Sequence, residues 1–540
     1  MDDILKTKNL RENKKMIKKQ KIICIAMILI FLISINASAV KILKNSNQFE
    51  TEDFQNQNEN KKYIPTFKES DNIDPLIDLE VTVTIKEIRA LDKIDFIGQP
   101  DFYVKVFINN ETNQSKIWRN KKYVNETWST TMDVNDTEQD VIIKIQLWDW
   151  FPLRNKICDL SKNNEFLRGK KDIELIYNLK TGHWRGDDYL EPRPTWSDYS
   201  GYGRLNGCDD NSIYQKDRDC LVMFDINQND FDGDGIPYWT EVNVYGTDPM
   251  VDDTGRDDDF DGVPIEWEHK WGNSFRYNHT SNAIEPYWFY YPFKAEDHDH
   301  LDPDNDGLDN IEEYLTSEWG SDPFRKDIFL ELDQMKAGPN GEPPSELGED
   351  SKNMLRDAFD RQNIVLHIDD GFMGGGEWIP FDNETPYDEL VKLYRDYFLH
   401  GDDNNWRKGV FHYGLVVYDG TYAGFVFRTG DDFSGAFQIS SKYVDKKLFV
   451  PTAKRRAVSY ASVYMHELGH TLEINIPGGH DKKAQAPWQP QYWKWRAYKS
   501  CMNYGYTYVL VDYSDGSRGK NDHDDWSNLD LVAFQREIPD

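Results

Sequence analysis

A chain of 540 residues with 39% hydrophobic and 14% aromatic content is long enough for several cores and too apolar to be disordered throughout. Its formal charge of −32 excludes nucleic acid as a partner, because phosphate contacts need a basic surface. The acidity is concentrated: residues 230–324 hold 25 Asp/Glu against 4 Lys/Arg, yet they are laced with Trp, Tyr and Phe, which points to structure neutralised by metal ions instead of a solvating tail.

In chain order, the first 21 residues are basic and polar, Ile22 to Ile35 is almost wholly apolar, and Ala37-Ser38-Ala39 follows. This is the order of a secretory signal. Ile22 to Val40 is also just long enough to span a bilayer, so a signal-anchor stands as the alternative, with Lys14, Lys15, Lys18, Lys19 and Lys21 keeping the N-terminus in the cytoplasm. Either reading of residues 1–40 exports the remainder, to the cell surface or beyond it, and the second gives it a membrane partner through this segment. Residues 41–75, rich in Asn, Lys, Gln and Glu with little periodicity, are predicted to be a linker. Cys24 lies in the leader, which leaves Cys158, Cys208, Cys220 and Cys501; the favoured bridge is Cys208–Cys220, closing a short hairpin-like loop.

Residues 76–226 are predicted to form an all-β sandwich. Val81, Val83 and Ile85 alternate with Thr82, Thr84 and Lys86, and the same period recurs at Val104, Val106 and Ile108 and at Ile143, Ile145 and Leu147. The stretch from Leu91-Asp92 through Gly98-Gln99-Pro100-Asp101-Phe102 resembles the first calcium loop of C2 domains, and Leu147-Trp148-Asp149 resembles the entry to their third. The resemblance implies a C2-like fold with Asp92, Asp95, Asp101 and Asp149 as calcium ligands, although Phe151 stands where the third loop carries its second Asp.

Residues 227–325 contain an internal repeat. Asp230, Asp232 and Asp234 with Gly235 are followed by Glu241; Asp257, Asp259 and Asp261 with Gly262 by Glu268; Asp302, Asp304 and Asp306 with Gly307 by Glu313. Each set puts carboxylates at loop positions 1, 3 and 5, Gly at 6 and Glu at 12, the template of a calcium loop: a hard cation wants a shell of oxygens, the glycine permits the sharp reversal, and the twelfth residue supplies two oxygens at once. The units resemble the Asp-rich calcium repeats of thrombospondin type 3 and dockerin modules, a likeness that Gly246-Thr247-Asp248-Pro249 and Gly320-Ser321-Asp322-Pro323 extend.

Residues 326–540 are predicted to be an α/β (α+β) domain: strands at 328–332, 364–368, 410–417, 425–427 and 436–439, helices at 351–361 and 526–536, and between them an apolar-periodic helix carrying His466-Glu467-Leu468-Gly469-His470. Residues four apart share a helix face, so His466 and His470 can hold one zinc ion, with Glu467 as general base on a water at the metal. Ser500-Cys501-Met502-Asn503-Tyr504 resembles the Met-turn of metzincin metalloproteases. The resemblance implies Met502 beneath the zinc ligands and Tyr504 reaching the metal. The long metzincin motif continues with Gly and His where this chain has Glu473 and Ile476; the expectation is therefore a helix about one turn longer, ended by Pro477 and Gly478-Gly479, with His480 as third ligand and Asp481 as its substitute. Gly371 to Gly376 lacks a following P-loop Lys, so phosphate binding is not expected there.

The whole reads as a secreted or membrane-tethered zinc endopeptidase acting on protein or peptide substrates, with calcium-stabilised accessory domains. The competing reading is a calcium-dependent surface-binding or adhesion protein whose protease-like domain is weak or inactive; the intact Glu467 counts against it.

Overall fold

In the first domain the period-two runs become two facing sheets. One is ordered Arg204–Asn206, Cys220–Gln228, Glu80–Ala90, Tyr123–Val124, with Trp128–Asp133 also pairing Glu80–Ala90. The other is ordered Glu111–Gln114, Phe102–Ile108, Asp140–Asp149, Ile173–Asn178, His183–Gly186. Val81, Val83, Val104, Val106, Ile143 and Ile145 bury their side chains between the sheets, while Thr82 and Thr84 pair with Thr131 and Ser129 on the outer face at 2.8 and 2.9 Å. The computed structural model describes residues 72–161, 173–187, 197–198, 203–208, 211, 213, 218–278, 283–288, 290–429, 432–448, 450–474, 480 and 482–535. The expected leader, nearly all of the linker and Asp481 lie outside the described residues, among which no helix is long and apolar enough to cross a membrane.

The favoured Cys208–Cys220 bridge is not formed, and none of the four cysteines of the domains is in a disulfide. Strand alternation explains this. Cys220 points into the sandwich core, where its thiol meets that of Cys158, whereas Cys208 packs with Leu91 and Leu221 on the opposite side.

The acidic segment supplies three loops, each followed by a short helical stretch: Tyr238–Thr240 continuing into Glu241–Tyr245, Ile265–Gly272, and Asn310–Leu315. Between the second and third lies a hairpin not expected from the sequence, Asn273–Asn278 with Ala283–Trp288, to which Ser197–Asp198 adds a strand.

The last domain is a mixed sheet ordered Val365–Asp369, Asp327–Met335, Phe411–Val417, Asp432–Ser440, Gly424–Thr429; all neighbours are parallel except the last pair. Asp327–Met335 is buried along its whole length, as a central parallel strand covered on both faces must be. Helices Glu349–Arg361 and Ala453–Thr471 pack on one face around Leu330, Leu355, Phe359 and Leu468; Leu390, Tyr394 and Phe398 cover the other. The expected terminal helix over 526–536 is two separate 3₁₀ turns, Trp526–Asn528 and Ala533–Gln535. Leu529 adopts an extended conformation between them, and the Asp530 N–H donates to Leu472 C=O at 3.0 Å.

Helix Glu349–Arg361 is also the joint with the sandwich. Arg89 reaches Asp357 at 2.9 Å and Asp360 at 3.1 Å, Arg204 reaches Asp360 at 2.6 Å, and Lys122 and the Tyr123 hydroxyl reach Asp357 at 2.7 and 2.8 Å. Asn206 donates to the Asp360 carbonyl at 2.8 Å. Removing one partner of a buried pair leaves the others charged and unpaired. Asp360→Ala should therefore lower stability by about 3–5 kcal/mol in the first urea transition; a change within about 0.5 kcal/mol, typical of a surface site, would contradict the joint.

Candidate metal centre

Helix Ala453–Thr471 starts at Thr452, whose side chain accepts the Arg455 N–H, and carries the motif in its last turns. His466 and His470 fall on one face as the spacing requires, their Nε2 atoms 3.3 Å apart, and His480 Nε2 lies 3.3 Å from that of His466. Ligands about 2.0–2.1 Å from a tetrahedral centre stand about 3.3 Å from one another; both separations from His466 match this, and all three nitrogens lie within 4.8 Å of one another. His466 Nδ1–H donates to the Cys501 carbonyl at 2.8 Å, which leaves its Nε2 lone pair facing the other two rings. Burial lowers the pKa of all three, joined at His466 and His470 by repulsion from neighbouring rings, and brings His470 to about 4; each is neutral at physiological pH, the state in which imidazole binds metal.

The helix does not run a turn longer, as the sequence had suggested. It ends at Thr471; Glu473 turns into the left-handed region at φ +50°, and the Ile474 N–H closes on Gly469 C=O at 3.1 Å. A glutamate thus makes the turn for which the long metzincin motif uses glycine, at a penalty of about 1–2 kcal/mol. Residues 475–479, which hold the expected Pro477 and Gly478-Gly479 stop, lie outside the described residues.

Met502 packs against Gly469, between the two helix histidines in sequence, fully buried, in a turn closed by Asn503 N–H to Ser500 C=O at 3.1 Å. Its sulfur explains Gly469: a Cβ there would stand 2.6 Å from Met502 Sδ. Tyr504 packs against His480 with ring centroids 4.1 Å apart and the rings tilted by 35°. Glu467 is 6% exposed, and burial lifts its carboxyl to about 8. Gly424, which sequence reasoning missed, makes room for it, since a Cβ there would meet Glu467 Oε1 at 2.5 Å. These groups line a cleft of about 960 Å³ bordered by strand Gly424–Thr429 and by Tyr443, Lys447, Tyr508 and Val509. The Gly371–Gly376 loop engages no phosphate-like site; its N–H groups donate to Asp369, which pairs with Arg407 at 2.7 Å.

The three acidic loops share one construction. The position-1 carboxylate accepts from the position-6 N–H: Asp230 from Gly235 at 3.1 Å, Asp257 from Gly262 at 3.2 Å, Asp302 from Gly307 at 2.9 Å. These glycines have φ of +85°, +103° and +100°, as the sharp reversal requires. The position-5 carboxylates Asp234, Asp261 and Asp306 each accept the N–H of a later acidic residue, Asp253, Glu296 and Asp327, at 3.3, 3.0 and 2.6 Å. These later acids escaped the sequence analysis because they fall outside the twelve-residue template. Oxygens of Asp232, Glu241, Asp253, Asp259, Glu268, Glu296, Asp304 and Glu313 are buried without hydrogen-bond partners, a donor set that fits hard divalent cations. In the sandwich loops the outcome differs. Lys156 Nζ sits 2.6 Å from Asp95 and 3.2 Å from Asp149, Asp101 pairs with Arg119 at 3.1 Å, and Asp92 accepts the Arg218 N–H at 3.2 Å. An ammonium therefore already neutralises two of the four expected calcium ligands there.

Comparison with known proteins bears on the sandwich alone. Residues 79–165 match the C2 domain family, so the N-terminal sandwich is a C2 domain. Similar solved structures include a C2 domain of plant extended synaptotagmin 1 (15% identity over 28% of this chain and 95% of that one, TM-score 0.18), human GIVD cytosolic phospholipase A2 (15%, 28% and 16%, TM-score 0.16) and a C2 domain protein from Ramazzottius varieornatus (10%, 28% and 87%, TM-score 0.17). No curated protein matches the chain.

Crowding and burial raise the loop acids: Asp259 to about 6, Asp234 and Glu296 to about 7, Glu241 to about 9 and Glu268 to about 10. With cations chelated, the folded chain holds protons that the unfolded chain releases. Their stabilising share is complete below the ordinary carboxylate range and is lost as pH rises through these values. The melting temperature of the EGTA-treated protein should therefore fall steadily from about pH 5 to pH 9, and the gain on adding calcium should grow over the same interval. A calcium effect absent at every pH would refute the loop reading.

Proposed function

We propose that this protein is an exported zinc-dependent endopeptidase whose accessory C2 domain and cation-braced loops hold the catalytic domain in a fixed setting. The observation that carries the reading is the convergence of His466, His470 and His480 Nε2 at zinc-ligand spacing beside the buried Glu467, within an open cleft. Zinc held by these nitrogens would supply a Lewis acid that brings the pKa of a water from about 15.7 toward 7 and draws down that of the adjacent Glu467.

The chain's own groups then have distinct tasks. Glu467, ionised beside the cation, takes a proton from the attacking water and returns it to the leaving amine. Tyr504, whose hydroxyl is held above its ordinary pKa by burial and by Glu467, stays protonated and donates to the developing oxyanion. Strand Gly424–Thr429 ends the sheet order and flanks the cleft, so an extended peptide can lie along it as an added strand; Tyr387 already occupies the backbone at Arg428, which confines that pairing to the end nearer Glu467. This arrangement favours an endopeptidase over the inactive, adhesive alternative, because Glu467 and the space made for it by Gly424 serve no purpose in binding alone.

The C2 domain supports a membrane-facing setting. Phe96, Ile97 and Leu153 at its loop tips are 88%, 84% and 91% exposed, next to Lys93 and Arg154, an apolar tip with a basic collar suited to insertion among lipid headgroups. Because Lys156 stands among the loop carboxylates, docking there needs no calcium. Co-sedimentation with anionic vesicles in EGTA should be retained by the native chain and lost in Phe96→Asp/Leu153→Asp; equal binding by both proteins would exclude this surface.

For the catalytic site, Glu467→Gln should keep one zinc at the triad and lose casein hydrolysis by about 10²–10⁴-fold, the range for a general base. His480→Ala should lose that zinc and the activity together. Full activity in His480→Ala would place the third ligand elsewhere.

A further inference from the structure

The second acidic loop has a histidine with one ring nitrogen unpartnered, whereas His367 beside the third loop is hydrogen-bonded to Asp327 at 2.7 Å. His298, outside the loop template, is fully buried, and its Nε2 has no hydrogen-bond partner among the described residues. That nitrogen points at the loop carboxylates, 3.3 Å from Asp261 Oδ2 and 4.0 Å from Glu268 Oε1. Donor atoms of Asp261, Glu268, Glu296 and His298 all lie within 4.8 Å of one another. Glu268 Oε1, Glu296 Oε2 and both Asp259 oxygens are likewise buried and unpartnered. Among the described residues Lys294 Nζ stands 3.6 Å from Glu296 Oε1, the other oxygen of that carboxylate. One imidazole N–H can satisfy one oxygen at most, so it does not account for this set.

The ring is held for ligation from behind. Trp267 and Tyr290 meet it edge-on, with centroids 5.7 and 4.9 Å away. The Asn310 amide lies 2.8 Å from Nδ1, and Asn310 Oδ1 is buried without a partner. A half-turn of that amide sets Oδ1 against the ring; Nδ1–H then donates to it, and the Nε2 lone pair faces the carboxylates. This is the outer hydrogen bond that fixes the tautomer of a metal-ligating histidine.

We propose that the second loop, unlike the first and third, binds a borderline transition cation of the zinc–manganese class through His298 Nε2 together with Asp261, Glu268 and Glu296. The chemistry is selective. Calcium takes oxygen shells, and an imidazole nitrogen in the shell shifts preference toward Zn²⁺ or Mn²⁺. The first loop offers carboxylates where the second offers His298: its added acid is Asp253, grouped with Asp234 and Glu241.

The test uses the full chain, stripped with chelator and equilibrated with excess Ca²⁺ and enough Zn²⁺ to fill both the histidine triad and the second loop. Anomalous diffraction at the zinc edge should give a peak beside His298 Nε2 that persists in His466→Ala/His470→Ala, so this result is independent of the catalytic reading. His298→Gln should hold one zinc fewer per chain than the native protein while loops one and three keep their calcium. A calcium-only peak in the second loop, or an unchanged zinc count in His298→Gln, would overturn the proposal. Should His298→Gln not fold, the native anomalous map alone decides.

Discussion

Mutual repulsion among buried carboxylates is the constraint on which the rest of this chain depends. Two like charges 4 Å apart repel by about 4 kcal/mol at an effective dielectric of 20, and each acidic loop holds several. Cations held there, as proposed, would turn that repulsion into cross-links. The first loop begins two residues after strand Cys220–Gln228 of the C2 domain, so bracing it braces that strand. The third is fused to the C-terminal sheet: the Asp327 N–H that donates to Asp306 opens the central strand, and the Asp327 carboxylate accepts from His367 on the neighbouring strand at 2.7 Å. Together with the ion pairs on helix Glu349–Arg361, the segment acts as a second brace between the C2 domain and the sheet that supports the triad.

The triad itself is positioned by contacts that leave little freedom. Helix Ala453–Thr471 is pinned along its length by Ser459 to the Tyr508 carbonyl at 2.8 Å, by Tyr508 N–H to Ser462 at 3.0 Å, and by the Tyr513 hydroxyl to the Met465 carbonyl at 2.7 Å. The Met502 turn presses on Gly469 from below while the Cys501 carbonyl orients His466. Rotation of either histidine would therefore require moving a packed turn, which is the preorganisation a metal-assisted reaction needs.

Much of this was legible in the sequence where a short period carried the information. The alternation at Val81–Ile85 and Ile143–Leu147 indicated the sandwich, and the i, i+4 histidines indicated one face of a helix. The carboxylate spacing found the three loops. What escaped depended on contacts between distant segments. Asp253, Glu296, His298 and Asp327 join the loops from 19 to 37 residues beyond the aspartates they approach, and Gly424 is explained only by Glu467 across the cleft. The Cys208–Cys220 expectation failed because closeness in sequence says nothing about which face of a strand a thiol occupies. The longer helix failed because Glu473 adopts a left-handed conformation that residue type alone did not forecast.

The central claim, a zinc peptidase with an edge-strand substrate cleft, is tested most directly by the crystal structure of the zinc-loaded chain with a peptide hydroxamate. The account predicts the hydroxamate oxygens facing the Nε2 atoms of His466, His470 and His480, its hydroxyl against Glu467, and the peptide running along Gly424–Thr429. A hydroxamate that fails to bind the zinc-loaded chain, or that binds with its peptide away from this strand, would contradict it.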